Sequence, residues 1–391
     1  LKRTHFSSVV PRDDLTPART VLRASGSGEG LSTPPARVVR IDPATDPRWD
    51  TFVDSFPGSS AYHLSAWARI LKDAYGCNPE YLALERSQRR IEGVLPLMRT
   101  WGLLAGARYR SLPVLPPAGP LAATDEGKRA LIAAACALAA SMRVSWTVLA
   151  REDGYQELVA GVRLIRRETN WVLPLPADPE DLRASWRKRA KNLHRSLNKA
   201  EAGGVTLYEG TSNADLRRFY GLYLHTMRRH RALPRTWRQI VRDRDLLAQR
   251  GTFRLFIVAH EKRAIAAGLF HAHGDTVDLL YNGSDDRFLD LRPNHALYWG
   301  VIRWSIAAGL RRFDFGTAAT ETSLGRFKRQ WGTEPFHEYR YEYDPNGAGS
   351  RAASLRQVNA ISDETLLKRA WGRAPVRATE LAATLAYRWL V

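Results

Sequence analysis

Two stretches of this chain repeat each other at a spacing that fits a duplicated domain. Residues 81–93 and 255–268 each place apolar-rich positions before a polar turn, then open a return strand with an isoleucine and small residues, Ile91 in one copy and Ile265 in the other. The two isoleucines stand 174 positions apart, far beyond the roughly 20–50 residues of a stacked repeat unit. The surroundings agree in order. Strand 38–41, helices 49–56 and 64–75, strands 81–84 and 91–98, helix 131–142 and strand 146–149 make up the first block. Helices 216–230 and 237–249, strands 253–259, 264–273 and 277–282, helix 295–308 and strand 312–315 make up the second. A chain of 391 residues is also longer than one core usually organises. The expected class is α/β, an α+β mixed sheet in two tandem domains, 37–175 and 176–344. A Gly, Ser, Thr and Pro-rich leader, 1–36, is expected to be disordered, and 345–391 reads as a linker followed by basic amphipathic helices.

With 44% hydrophobic and 25% charged residues, the composition is that of a folded globular protein. Cys77 and Cys136 are the only cysteines, and neither has a partner at metal-ligand spacing, which argues against disulfides and zinc and for a reducing compartment. No apolar run reaches the roughly 18 residues of a membrane span; 131–142 is alanine-rich and reads as a core helix. No apolar segment follows the basic N-terminal residues, so a cytoplasmic protein is expected. The formal charge of +19 favours an anionic partner, although a GC-rich genome would also enrich arginine and alanine.

The basic residues are not spread evenly. From Arg183 to Lys199 there are seven of them and no acid, while Trp186, Ala190, Leu193, Leu197 and Ala200 recur at four- and three-residue steps. That pattern predicts one helix over 182–202 with an apolar stripe and a one-sign face suited to phosphate, on which Arg187, Lys191 and Arg195 are candidate contacts. A second phosphate site is expected where strand 277–282 feeds a loop and then a helix start, at Arg292, Asn294 and His295; Pro293 is equally ordinary helix-start chemistry. Asp314 lies in Asp-Phe-Gly at the end of a strand, with Arg326 and Lys328 following, where ligand sites of α/β sheets tend to lie. A kinase reading of Asp-Phe-Gly fails, because no glycine-rich loop with its strand lysine and no His-Arg-Asp loop accompany it. Asp314 as a structural carboxylate and Lys328 as a surface lysine are the plain alternatives. His271 and His273 share a strand face but lack a third ligand in reach, so no metal site is expected.

The order of basic helix, hairpin, Tyr281-Asn282-Gly283-Ser284, Leu291-Arg292-Pro293, helix, Phe313-Asp314-Phe315-Gly316 and Phe327-Lys328-Arg329-Gln330-Trp331-Gly332 resembles the Fem peptidyltransferase family and its relatives with a GNAT-type acyltransferase domain. The resemblance covers residues 38–344 and is strongest over 185–343. It implies two joined GNAT-like domains, the second catalytic and phosphate-binding, the first structural or on the acceptor side. It implies no permanently bound cofactor, and acyl-CoA or aminoacyl-tRNA as co-substrate. The implied partners are a phosphorylated small-molecule or lipid-linked substrate, and tRNA. Lys328 is similar to a family lysine placed near substrate phosphate or the reacting carbonyl. The long coiled-coil arm associated with tRNA binding has no counterpart, since 182–202 is one short helix. The tail resembles that of Fem-like proteins found with bacterial exopolysaccharide and protein-sorting systems; its basic helices suit peripheral contact with an anionic inner membrane face or packing back onto the protein.

The reaction expected from these features is direct attack of an amine of a cell-envelope or polysaccharide precursor on a thioester or ester carbonyl. No covalent intermediate is called for, since neither cysteine has an evident His partner and no Gly-x-Ser-x-Gly elbow occurs. Lys328 and Arg326 would stabilise the oxyanion, with Tyr281 and Asp314 nearest the amine or leaving group. Two other readings stay open: a non-catalytic RNA- or polyanion-binding protein, and an acetyl-CoA-dependent N-acetyltransferase acting on a nucleotide sugar. Against the first, Trp186, Trp237, Trp299 and Trp304 sit on apolar helical faces, where they pack into cores. The first domain's loop 114–120 carries no basic residue and is expected to be structural or to meet a neutral part of the acceptor.

Overall fold

Strand-forming runs and capped helices alternate in the same order twice along the chain. The computed structural model describes residues 36–86, 90–102, 106–113 and 115–347, together with Glu380, Ala383, Thr384 and Tyr387; the expected leader, apart from Ala36, and most of the tail lie outside the described residues. The first pass is β1 (Arg37–Ile41), α1 (Arg48–Ser55), α2 (Ala66–Tyr75), β2 (Asn78–Pro79), β3 (Tyr81–Glu85), β4 (Ile91–Leu95), β5 (Met98–Gly102), β6 (Gly106–Arg110), β7 (Leu121–Ala122), α3 (Asp125–Ser141), β8 (Trp146–Ala150), α4 (Tyr155–Leu158) and β9 (Val162–Pro174). After α5 (Pro179–Arg189) and α6 (Lys191–Ala202), the second pass is β10 (Thr206–Glu209), α7 (Asn213–Arg229), α8 (Trp237–Leu247), β11 (Phe253–His260), β12 (Arg263–His273), β13 (Thr276–Ser284), α9 (Pro293–Ala307), β14 (Arg312–Thr317), α10 (Ser323–Arg329) and β15 (Glu334–Tyr343).

Two differences between the passes have local causes. The run equivalent to β12 is parted at Pro96, so β4 pairs with β3 while β5 pairs with β6; proline cannot donate to a ladder. The first pass therefore splits into a four-stranded sheet, β1-β3-β4-β7, and a contribution to the large sheet. The second difference corrects the single helix expected over 182–202. Ala190 leaves helical geometry at φ −132°, ψ 58°, because Trp186 is drawn against Trp299 and Trp331 while Leu193, Leu197 and Ala200 are buried from a separate helix. The apolar stripe itself is as expected.

The large sheet runs β10-β11-β12-β13-β14-β9-β15-β8-β6-β5-β2. Its middle is an exchange: β9, which ends the first pass, pairs with β14 of the second, and β15, which ends the second, pairs with β8 of the first. The two passes thus share one mixed sheet. They also share a core, in which Trp49, Tyr62, Trp67 and Tyr81 of the first pack in one cluster with Leu216, Phe219, Tyr223 and Leu269 of the second. Ala383 and Tyr387 from the tail are buried in that same cluster.

Helix α7 crosses β12 and β13 closely enough to require glycine at one point. A Cβ on Gly283 would stand 2.4 Å from the carbonyl carbon of Leu222 and 2.4 Å from the amide nitrogen of Tyr223, both backbone atoms of α7. Gly283→Ala is expected to cost about 3 kcal/mol, the upper range for overpacking. Urea unfolding of the variant checks this, and a midpoint equal to the parent's would show that α7 can move away freely.

Candidate active site

Parallel pairing of β13 with β14 covers only three residue pairs, ending at Asp278 opposite Asp314. Past that point β13 continues beside β12, with a bulge at Leu280, while β14 turns toward β9. The two carboxylates therefore sit at the apex of an opening between adjacent parallel strands, at the carboxyl end of their paired stretch, where a bound group can enter a sheet. Both are buried.

Burial of two acids side by side demands compensation. Arg151, which follows β8, supplies it: its Nη2 donates to Asp314 Oδ2 at 2.9 Å and to Asp278 Oδ1 at 3.4 Å. Asn170 of β9 donates to the same Asp314 oxygen at 2.8 Å, and the Gly316 amide to the other at 2.7 Å. Burial works against the Arg151 charge, but Asp314, Asp278 and Glu338 outweigh it and hold the guanidinium ionised. Asp278 is pushed up to about 7, first by burial and then by the neighbouring Asp314 charge. Glu338 of β15 is pushed up to about 8 for the same two reasons. Lys328 of α10 is only 6% exposed; its Nζ donates to the carbonyls of Gly316 at 2.9 Å and Thr317 at 3.0 Å. Burial lowers it to about 8, with Asp314 and Glu338 opposing.

The first pass also covers this face. Tyr62 is fully buried, and its hydroxyl has no hydrogen-bond partner among the described residues. Burial, then the charges of Asp278 and Asp314, hold it protonated. The next residue, His63, donates from Nε2 to the Gly119 carbonyl at 3.1 Å and accepts at Nδ1 from the Ser60 amide, a neutral ring that burial pushes down to about 3. His271 lies opposite Asp278 in the β12–β13 register and bonds Asp243 at 2.9 Å, while His273 meets Ser59.

Of the residues singled out from sequence, Asp314 and Lys328 come together here. Tyr281 is on β13 but its hydroxyl accepts from Arg235 and Gln239 instead. Arg326 is exposed and donates to the Glu321 carbonyl, on a different side of α10 from Lys328. Arg292 is exposed, in a left-handed conformation at φ 54°. The Asn294 side chain points to Ser284, and the His295 ring packs on Phe327 and Trp331 while its amide donates to the Arg292 carbonyl. Burial lowers His295 to about 4, so it is neutral. Arg187, Lys191 and Arg195 are exposed around the α5–α6 break, and no carboxylate lies within ion-pair distance of Arg187, Lys188, Arg189 or Lys191 among the described residues.

Sequence reasoning passed over Arg151, Asn170, Asp278 and Glu338. Asp278 carried a signal, a lone acid inside the apolar strand 277–282. Arg151 and Glu338 carried none, because their neighbours come from the strand exchange.

Residues 187–329 match the Acetyltransferase (GNAT) domain family. No curated protein sequence matches this chain. Among solved structures, FemX is similar over 82% of this chain and 99% of its own, at 17% identity and a TM-score of 0.64. L-PGS from Bacillus licheniformis is similar over 86% and 99%, at 14% identity and 0.52, and a conserved protein of unknown function from Bacteroides thetaiotaomicron over 78% and 99%, at 11% and 0.54. At such identities the likeness is one of fold. With the repeated strand order and the matched domain, the chain has a tandem GNAT-like fold, and it is an acyltransferase.

Proposed function

We propose that the protein transfers an acyl group from acyl-CoA or aminoacyl-tRNA directly to an amine of a cell-envelope or polysaccharide precursor, at the cytoplasmic side of the membrane. The observation that carries this reading is the Asp278–Asp314 pair at the apex of the β13–β14 opening, one acid raised toward neutrality beside a fixed guanidinium. An acid poised near neutral pH is suited to general base work. As the amine nitrogen forms its bond to the acyl carbon and the C–S or C–O bond to the donor breaks, Asp278 takes the nitrogen's proton. Arg151 and Asn170 hold Asp314 in place beside it. Lys328 has spent two of its three N–H groups on Gly316 and Thr317, which leaves one for the developing oxyanion. The exposed cations Arg187, Lys188, Arg189 and Lys191, with Arg292 at the start of α9, are positioned on the surface to receive donor phosphates. No helix among the described residues is long and apolar enough to cross a membrane.

A thermal-shift panel with acetyl-CoA, long-chain acyl-CoA, a UDP-linked muropeptide precursor, UDP-sugars and tRNA tests the donor and acceptor classes. A ligand at one hundred times its Kd stabilises by about 2.7 kcal/mol. One donor and one acceptor should each raise Tm, and Lys328→Ala should weaken the donor's shift. Silence from every compound, together with salt-sensitive RNA retention that is lost on replacing Arg187 to Lys191, would sink this reading in favour of a polyanion-binding module.

A further inference from the structure

Beside the acid cluster lies a guanidinium with no acid of its own. Arg235 is only partly exposed, and no carboxylate comes within ion-pair distance of it among the described residues. Its Nε donates to Tyr281 Oη at 3.2 Å, its Nη1 to Tyr387 Oη at 2.6 Å, and its backbone amide to Tyr223 Oη at 3.0 Å. Gln239 adds a second donor to Tyr281, and Tyr75 donates to Gln239. Phenols solvate a guanidinium but cannot neutralise it, and arginine cannot shed its proton. A buried charge left in this way is expensive unless an anion joins it.

The box shares a sheet face with the acids. Tyr281 faces Leu269 and Asp278 faces His271 in the β12–β13 register; Leu269 and His271 are two residues apart, so they share a face. Three positions along a strand would normally put Tyr281 on the opposite face from Asp278, and the bulge at Leu280 restores it to the same one. The two side chains are then about 10 Å apart or less at roughly 3.3 Å per residue. One member of the box comes from the far end of the chain and is buried in the shared core cluster. Tyr387 comes from the tail, packs its ring at a tilt against Tyr75 at 4.8 Å between ring centres, and is buried.

We propose that Arg235, with the Tyr281 hydroxyl, is the subsite for a carboxylate carried by the acceptor, and that Tyr387 holds that place until the acceptor displaces it. The acceptor class this defines is an amino carboxylate whose reacting amine meets Asp278 while its carboxylate reaches past Tyr281 to Arg235. A single guanidinium among tyrosine rings matches the single charge and planar shape of a carboxylate. Inorganic phosphate would bring excess negative charge toward Asp243 and Asp278. The proposal rests on the reading of Asp278 as the group that meets the amine.

Calorimetric titration of the full chain with ω-amino carboxylates of increasing length, the matching alkylamines and inorganic phosphate tests it without any donor. Amino carboxylates of one length range should bind better than the amines, and phosphate should not compete. Tyr387→Phe keeps the ring on Tyr75 and removes only the hydroxyl; it should tighten binding about tenfold, the worth of one hydrogen bond to a charged group. Arg235→Gln should weaken it at least about tenfold, and Arg235→Lys, which keeps the charge but loses the fork, should recover only part. Unchanged affinity in Tyr387→Phe or in both Arg235 variants, or a preference for phosphate, overturns the assignment. Intact binding in an Asp278→Asn protein confirms the subsite independently of the catalytic reading, and length-independent binding rejects it whatever the role of Asp278.

Discussion

Asp278→Asn is expected to reduce kcat for acyl transfer by about two to four orders of magnitude, the usual contribution of a positioned general base, while leaving the fold intact or firmer. The two halves of that expectation have one cause. Asp278 is held up to about 7 by burial and by Asp314, which makes it a proton acceptor near neutral pH and also a group whose charged form is disfavoured in the folded chain. For the parent, kcat should rise through about 7 as Asp278 ionises and fall through about 8 as Lys328 loses its proton; these limbs belong to the cluster, since Arg151, His271, Asp314 and Glu338 face the same acid. The asparagine variant should lose the rising limb. For stability the sign is that of a raised carboxylate: the folded state binds the proton more tightly, so its contribution is complete below about 4 and is lost as pH rises through about 7. Parent and variant should therefore differ least in acid, with the variant gaining by up to a few kcal/mol at pH 8. A variant that retains the rising limb, or loses stability at pH 8, removes Asp278 from the role of base.

The strand order and the placement of the second block's elements were legible because they rest on local pattern. Strands 253–259 and 264–273 have dense apolar runs, 312–315 alternates Phe313 and Phe315 with charged residues, and helices α7 and α8 have capping residues, Ser212 and Thr236, at their starts. What was illegible depends on partners far away in sequence. β9 reads Arg163-Leu164-Ile165-Arg166-Arg167-Glu168, polar on both faces, and becomes a strand because β15 pairs with it from Val162 to Val172. β15 is equally polar. Without those two strands, nothing in the sequence brings Arg151 and Glu338 to Asp314, so a site assigned to the second block turns out to include residues from the first. Lys328 and Asp314 were found because they lie close together in one motif. Arg326 lies in that motif too, but two residues along a helix is about 200° of rotation, which separates it from Lys328.

The strand exchange also explains why losing a first-block residue should disable chemistry seated mainly in the second. Arg151→Met is expected to cost about 3 kcal/mol of stability at pH 8, since removing one partner of a buried ion cluster leaves the rest uncompensated, and the Arg151 side chain is 26% exposed, short of full burial. Arg151 lowers both Asp278 and Glu338 against the forces that raise them. Without it, both bind protons more tightly in the folded chain, and the variant's stability falls further as pH rises through the higher values. The loss should thus be small below about 4, where both acids are protonated in folded and unfolded chains alike, and greatest above about 8. Urea unfolding at the two pH values measures it. Combining Arg151→Met with Asp278→Asn should restore part of the loss, because the charge that needed Arg151 has gone, and the non-additivity reports their coupling directly. A loss equal at both pH values, or strictly additive with Asp278→Asn, would mean that Arg151 contributes packing alone and that the acid pair is balanced from elsewhere.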